Sequence, residues 1–187
     1  MLSLLDLIKC NFKNKIEEFI IPSEYDNYNL ISDHLYLGNY LAAKDQTFIN
    51  NKKINLVINC SKDIEYPLFY KNINHNFEYI RLPLNDSTHR IDQFIMQSNL
   101  YKLCRLIDDY YTKKLNVFVH CYAGMQRSAT VVICYLIFKD HKNKILKSLD
   151  YYYHYLKWKR IVVFKPKPTF VNVIKNFYNN LNSLLIY

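Results

Sequence analysis

The chain has 187 residues, half of them apolar, and 25 Lys and Arg against 16 Asp and Glu give it a formal charge of +9. That length suits one domain with a full core, and no block is polar enough to predict extended disorder. No apolar run approaches the roughly 18 residues of a membrane span. Asp6 and Lys9 interrupt the apolar N-terminus, which has no basic region or small-residue cleavage site, so it is not read as a signal peptide.

The positive charge favours anionic partners such as phosphoproteins or nucleic acid. Most of it is scattered, as on a solvated surface, with one denser patch from Lys157 to Lys167. The cysteines (Cys10, Cys60, Cys104, Cys121, Cys134) form no CxxC pair and have no metal-ligand spacing. They read as reduced thiols in a cytoplasm-like compartment, with no metal or other cofactor expected. Asn, Lys, Ile and Tyr dominate, the imprint of an AT-rich genome. Only Gly38 and Gly124 represent glycine, which makes both informative.

In chain order, Met1, Leu5, Ile8, Phe12, Ile16 and Phe19 recur at helical steps, and Pro22 with the polar Ser23–Asn29 segment ends that helix. It either packs on its own domain or is an arm that buries its apolar face on a second copy, giving a homodimer. The division is therefore 1–28, helix and linker, and 29–187, the main domain. His34–Leu37 reads as a strand closed by Gly38, and Tyr40–Asn50 as helical. Ile54–Asn59 has the pattern of a strand buried on both faces. Phe77–Leu82 is the next strand, ended by Pro83. A long helix over Ile91–Tyr111 leads to a strand ending at Val119. Helices follow from Arg127 to about His141, from Ile145 to Trp158, and, after Pro166 and Pro168, from Thr169 to Leu184. The alternation predicts an α/β fold: a central, mostly parallel sheet of four to five strands flanked by helices, with an extra N-terminal helix. Ligands of such sheets lie beyond the carboxyl ends of the strands, where Cys121 falls.

A lone cysteine after a strand is usually a small buried hydrophobe. Here the order is strand, His120-Cys121, five residues, Arg127-Ser128 and helix. A loop at a helix start points backbone N–H groups at one spot, which suits an anion. Tyr122, Ala123, Gly124, Met125, Gln126 and Arg127 are the candidate phosphate-binding segment. The helix dipole and Arg127 both favour the reactive thiolate of Cys121. Arg127 offers a planar fork to two phosphate oxygens, and Gly124 lets the backbone turn close to the anion. Ser128 is placed to hydrogen-bond the sulfur, and His120 sits behind the loop. Displacing an alkoxide needs a proton donor, for which Asp86 in the Leu82–Ser87 loop is the candidate, with a turn cap as its bland alternative. Asp92 is the rival acid but fits better as an N-terminal helix charge. His89 reads as an exposed loop residue nearby.

From about Ile31 to Tyr178 the chain resembles the dual-specificity protein phosphatases of the cysteine-based tyrosine phosphatase superfamily. Ile31–Tyr40 is similar to the family's opening strand and turn, and Ala42-Ala43 to its next helix. Val57–Cys60 is similar to its first buried strand, Asp86 falls where it keeps its acid, and Cys121–Ser128 matches its nucleophile loop. The likeness is closest to small poxvirus-type enzymes with an N-terminal helix, and the composition fits a viral source, acting in host cytoplasm or virion. The resemblance implies a tyrosine phosphatase-like fold, a cysteinyl-phosphate intermediate and no metal. It also implies a shallow site for phosphotyrosine and phosphoserine or phosphothreonine in phosphoprotein substrates.

Two alternatives share the loop. RNA 5′-triphosphatases usually continue Arg-Thr-Gly, unlike Arg127-Ser128-Ala129, so nucleic acid is the less favoured partner. A phosphoprotein-binding pseudophosphatase would commonly lack the cysteine, the arginine or the acid. Inositide enzymes tend to carry loop lysines, and Tyr122, Ala123, Met125 and Gln126 supply none. One departure is Phe164-Lys165-Pro166-Lys167-Pro168-Thr169-Phe170, which places Lys165 and Lys167 as candidate contacts for phosphate or acidic residues.

Overall fold

The computed structural model describes residues 26–73 and 76–184; the expected helix over residues 1–20, and with it the dimer arm, lies outside them. The strands are β1 (Tyr28–Ser32), β2 (Leu35–Gly38), β3 (Ile54–Asn59), β4 (Glu78–Arg81) and β5 (Asn116–His120). The α-helices are α1 (Tyr40–Lys44), α2 (Gln46–Asn51), α3 (Arg90–Thr112), α4 (Arg127–Lys142), α5 (Leu149–Lys159) and α6 (Val171–Ser183). A short 3₁₀ turn covers Leu68–Asn72.

The strands form one sheet in the order β1-β2-β5-β3-β4. β5 is central and pairs in parallel with β2 and β3; β4 adds in parallel to β3, and β1 antiparallel to β2. Both faces are covered, so the middle residues of the inner strands are mostly apolar. Val117 and Val119 of β5 join Leu56 and Ile58 of β3 in the larger core, under α3, α4, α5 and α6. Phe118 faces the opposite way, into a smaller core with Ala42, Phe48, Ile49 and Tyr70. Helix α4 is buried from Arg127 to Phe138 because it lies between the sheet and the other helices, which leaves no solvent face in its first three turns.

Three local features depart from the expected elements. β1 starts inside the segment read as polar, Ser23–Asn29: of its residues only Ile31 is buried, so its alternation is faint. The helix expected over Tyr40–Asn50 breaks at Asp45, which leaves helical geometry and accepts from the Phe48 amide at 3.0 Å to cap α2. Likewise Ser148 caps the helix expected from Ile145, accepting from the Tyr151 amide, so α5 starts at Leu149. Among the described residues no helix is long and apolar enough to cross a membrane.

Candidate active site

β5 ends at His120, and the chain then turns through residues 121–126 into the buried start of α4. Five carbonyls of this turn are held by groups beyond it. Tyr122 O accepts from the Tyr40 amide at 3.0 Å, and Met125 O from the Phe164 amide at 2.9 Å. Arg160 donates through Nη2 to Ala123 O at 3.3 Å and through Nε to Gly124 O at 3.0 Å. Gln126 O takes the Thr130 amide and hydroxyl, at 2.8 and 2.9 Å. A trans peptide is planar, with its C=O and the next N–H pointing opposite ways. Five outward carbonyls, from Tyr122 to Gln126, therefore turn the amides of Ala123 to Arg127 inward, a nest of the kind that suits an anion.

Gly124 has φ +67°, and a side chain there would collide with the Gly38 carbonyl and press on Arg160. The two glycines of the chain thus lie against one another, at a left-handed turn and a close backbone approach. At the rim Tyr122 stacks on Tyr40, with ring centroids 4.8 Å apart and 18° between planes.

Cys121 is 1% exposed, and the Ser128 hydroxyl donates to its sulfur at 3.2 Å. Arg127 is fixed by Nη1, which donates to Leu84 O at 2.9 Å and the Ser61 hydroxyl at 3.3 Å. Its Nε is buried without a hydrogen-bond partner and lies 4.0 Å from an Asp86 oxygen. Thus one donor edge of the guanidinium is anchored to Ser61 and to the Leu82–Ser87 loop, the acid loop after its candidate acid Asp86, while the other keeps a donor that could meet an anion. His120 is buried under the loop, stacked on Phe118, with a long Nδ1 contact of 3.4 Å to Cys121 O. Burial brings its pKa down to about 4, so it is neutral at pH 7 and has no reach to a bound anion.

Asp86 is on the exposed side of a loop that its neighbours hold in place. Asp92, in the first turn of α3, accepts from the Asn85 amide at 3.1 Å and from the Ser87 hydroxyl at 2.5 Å. Burial works to raise the Asp92 pKa, but these hydrogen bonds win and hold it below the usual carboxylate range. The expected rival acid is therefore occupied on both sides of Asp86, and Asp86 remains the carboxylate facing Arg127. His89 is the exposed cap residue of α3 and makes no side-chain cap bond.

Sequence reasoning gave Gln126 only a backbone role and passed over Arg160. The Gln126 side chain turns away from the nest and donates to Lys165 O and Lys167 O, both at 3.0 Å, while accepting from the Thr169 amide at 3.0 Å. It fastens the 164–169 segment to the loop. Arg160 is 2% exposed and also donates to Asp26 O at 2.9 Å and Asn29 Oδ1 at 2.7 Å. Burial brings its pKa down to about 10, which still leaves it charged at pH 7. The sole signal available beforehand was its place within the basic patch.

Residues 35–180 match the family model described as the dual specificity phosphatase catalytic domain. The chain belongs to that family. Protein-tyrosine-phosphatase MKP1 of Arabidopsis thaliana is 31% identical over 127 residues, which cover 68% of this chain and 14% of that protein. A probable dual specificity protein phosphatase of Dictyostelium discoideum is 30% identical over 144 residues, 76% of this chain and 46% of that protein. The chain thus spans less than half the length of either relative. Among solved structures, human DUSP28 superposes with a TM-score of 0.70 at 20% identity, covering 86% of this chain and 98% of that one. OH1, a tyrosine phosphatase from the Orf virus, gives 0.55 at 18% identity over 89% and 88%. At those identities the likeness is one of fold, and the viral resemblance extends no further than that.

Proposed function

We propose that this domain hydrolyses phosphotyrosine and phosphoserine or phosphothreonine in proteins, through a cysteinyl-phosphate. The observation that carries this reading is the run of outward-held carbonyls around Cys121, with Arg127 and Asp86 facing each other across the same hollow. In the first step the Cys121 thiolate attacks phosphorus and the bond to the leaving oxygen breaks. Asp86 gives its proton to that oxygen. In the second, water attacks phosphorus from the vacated side and passes a proton to the Asp86 carboxylate. The S–P bond breaks, releasing inorganic phosphate and the thiolate, which the Ser128 hydroxyl stabilises as it leaves. Arg127 and the inward amides hold the equatorial oxygens throughout, where charge concentrates during transfer.

The buried, fully supported loop favours turnover over mere capture of phosphoproteins, and the absence of lysines within it favours proteins over inositides. Cys121→Ser tests the reading directly. It should abolish phosphopeptide hydrolysis while retaining phosphopeptide binding; turnover near the wild-type rate would remove Cys121 from the nucleophile's role. Phosphate release from triphosphate-ended RNA, compared with a phosphopeptide at matched concentration, separates the RNA alternative. The peptide should be the faster substrate.

A further inference from the structure

Beside the acid loop a groove of about 630 Å³ runs between the start of α3 and the 164–169 segment. Thr88, Arg90, Gln93 and Phe94 form one wall, and Lys167 and Thr169 belong to the other. Hydrogen bonds tie its walls to the segments that carry Asp86 and Arg127. Gln93 Nε2 donates to Ser87 O at 3.0 Å and to Thr169 O at 3.3 Å, joining the two walls. Gln126, from the phosphate loop, holds the far wall by its three bonds to Lys165, Lys167 and Thr169. One wall therefore begins next to Asp86 and the other hangs from the residue next to Arg127.

The lining is chemically one-sided. Among the described residues it carries two cations, Arg90 and Lys167, and no carboxylate. Asp92, the acid of that helix end, is turned inward onto Asn85 and Ser87. Arg90 is the first residue of α3, where a cation opposes the helix dipole, so helix stability does not explain it. Phe94 stands one turn further along the same face and is 68% exposed.

We propose that this groove binds the acidic flank of a phosphoprotein segment whose phosphorylated residue lies over Cys121. Arg90 and Lys167 meet its carboxylates, and Phe94 covers an apolar side chain between them. A nucleic acid would call for a longer track of cations with several stacking rings; a single aromatic beside two cations suits a few peptide residues. The inference rests on the phosphatase reading above.

The test uses the full chain and two phosphopeptides that differ only in having Asp and Glu, or Asn and Gln, beside the phosphorylated residue. A small aryl phosphate, too short to enter the groove, reports the chemistry. The acidic peptide should have the higher kcat/KM by about 2–30-fold at low ionic strength, as two partly exposed ion pairs would give, and the ratio should shrink in high salt. Arg90→Gln with Lys167→Gln should bring the ratio to about one. Arg90→Gln alone should leave aryl phosphate hydrolysis within about two-fold. A wild-type ratio near one, or a ratio unchanged by the double replacement, overturns the proposal. So does a charge-matched RNA oligonucleotide that displaces the acidic peptide from the wild type more strongly than a second acidic peptide does. If no substrate is turned over, the phosphatase reading fails instead. Fluorescence anisotropy of the same peptide pair on Cys121→Ser then reads the groove by itself, and equal affinities overturn it.

Discussion

Arg160 places a guanidinium behind the phosphate loop and spends it on oxygens of Ala123, Gly124, Asp26 and Asn29. It touches no reacting atom in the proposed chemistry, so it is a positioning residue. Lysine keeps the charge but cannot span the same carbonyls with a planar fork. Arg160→Lys is expected to lower kcat at least about 10-fold, since one charged hydrogen bond contributes roughly 1.5–3 kcal/mol. It should weaken inhibition by vanadate in parallel. A variant that loses thermal stability but keeps its vanadate affinity would leave Arg160 a merely structural residue. For Asp86→Asn the expected loss is about 10²–10⁴-fold, and least for leaving groups that depart without a proton. Equal losses on an acidic phenol's ester and on an alkyl ester would count against Asp86 as the acid.

Among the elements, the start of α3 and the acid loop form one unit through Asp92. Its depressed pKa means the carboxylate stabilises the folded loop above the ordinary carboxylate range. That contribution is lost as pH falls through the lower folded value. Asp92→Asn should therefore reduce kcat at neutral pH by loosening Asp86, and the wild type should converge on the variant only under acid conditions. Neutral-pH activity equal to the wild type would show that Asp86 needs no such brace. The cysteine, arginine and serine of the site were readable from the chain because one short continuous stretch holds them, and Asp86 because it follows a strand end. Arg160, Ser61, Leu84 and the Gln126 side chain were not, since each acts across long sequence separations that spacing does not encode. The same reason hid the first residues of β1, Tyr28 and Asn29, which are recruited by pairing with β2. The breaks at Asp45 and Ser148 were in principle readable, because both are cap residues set within runs of apolar periodicity.

For the molecule as a whole, the buried neutral His120 predicts an acid limit on stability. The unfolded imidazole takes a proton near 6.5 and the folded one near 4. Stability from this residue is therefore complete above 6.5 and falls as pH drops towards 4, by on the order of 3 kcal/mol in all. Thermal midpoints measured from pH 7 to pH 4 should show that slope, and His120→Leu should flatten it; an unchanged slope in the variant would assign it to other groups. A different consequence follows from the backing of the phosphate loop. The match to the family model begins at residue 35, yet Asp26 and Asn29 hold Arg160 while Asn27 O receives the Asn39 amide at 2.9 Å. Trimming the protein to start at Ile31 should therefore cost activity although every residue from Cys121 to Ser128 remains, because it removes two of the four oxygens that hold Arg160 behind that loop.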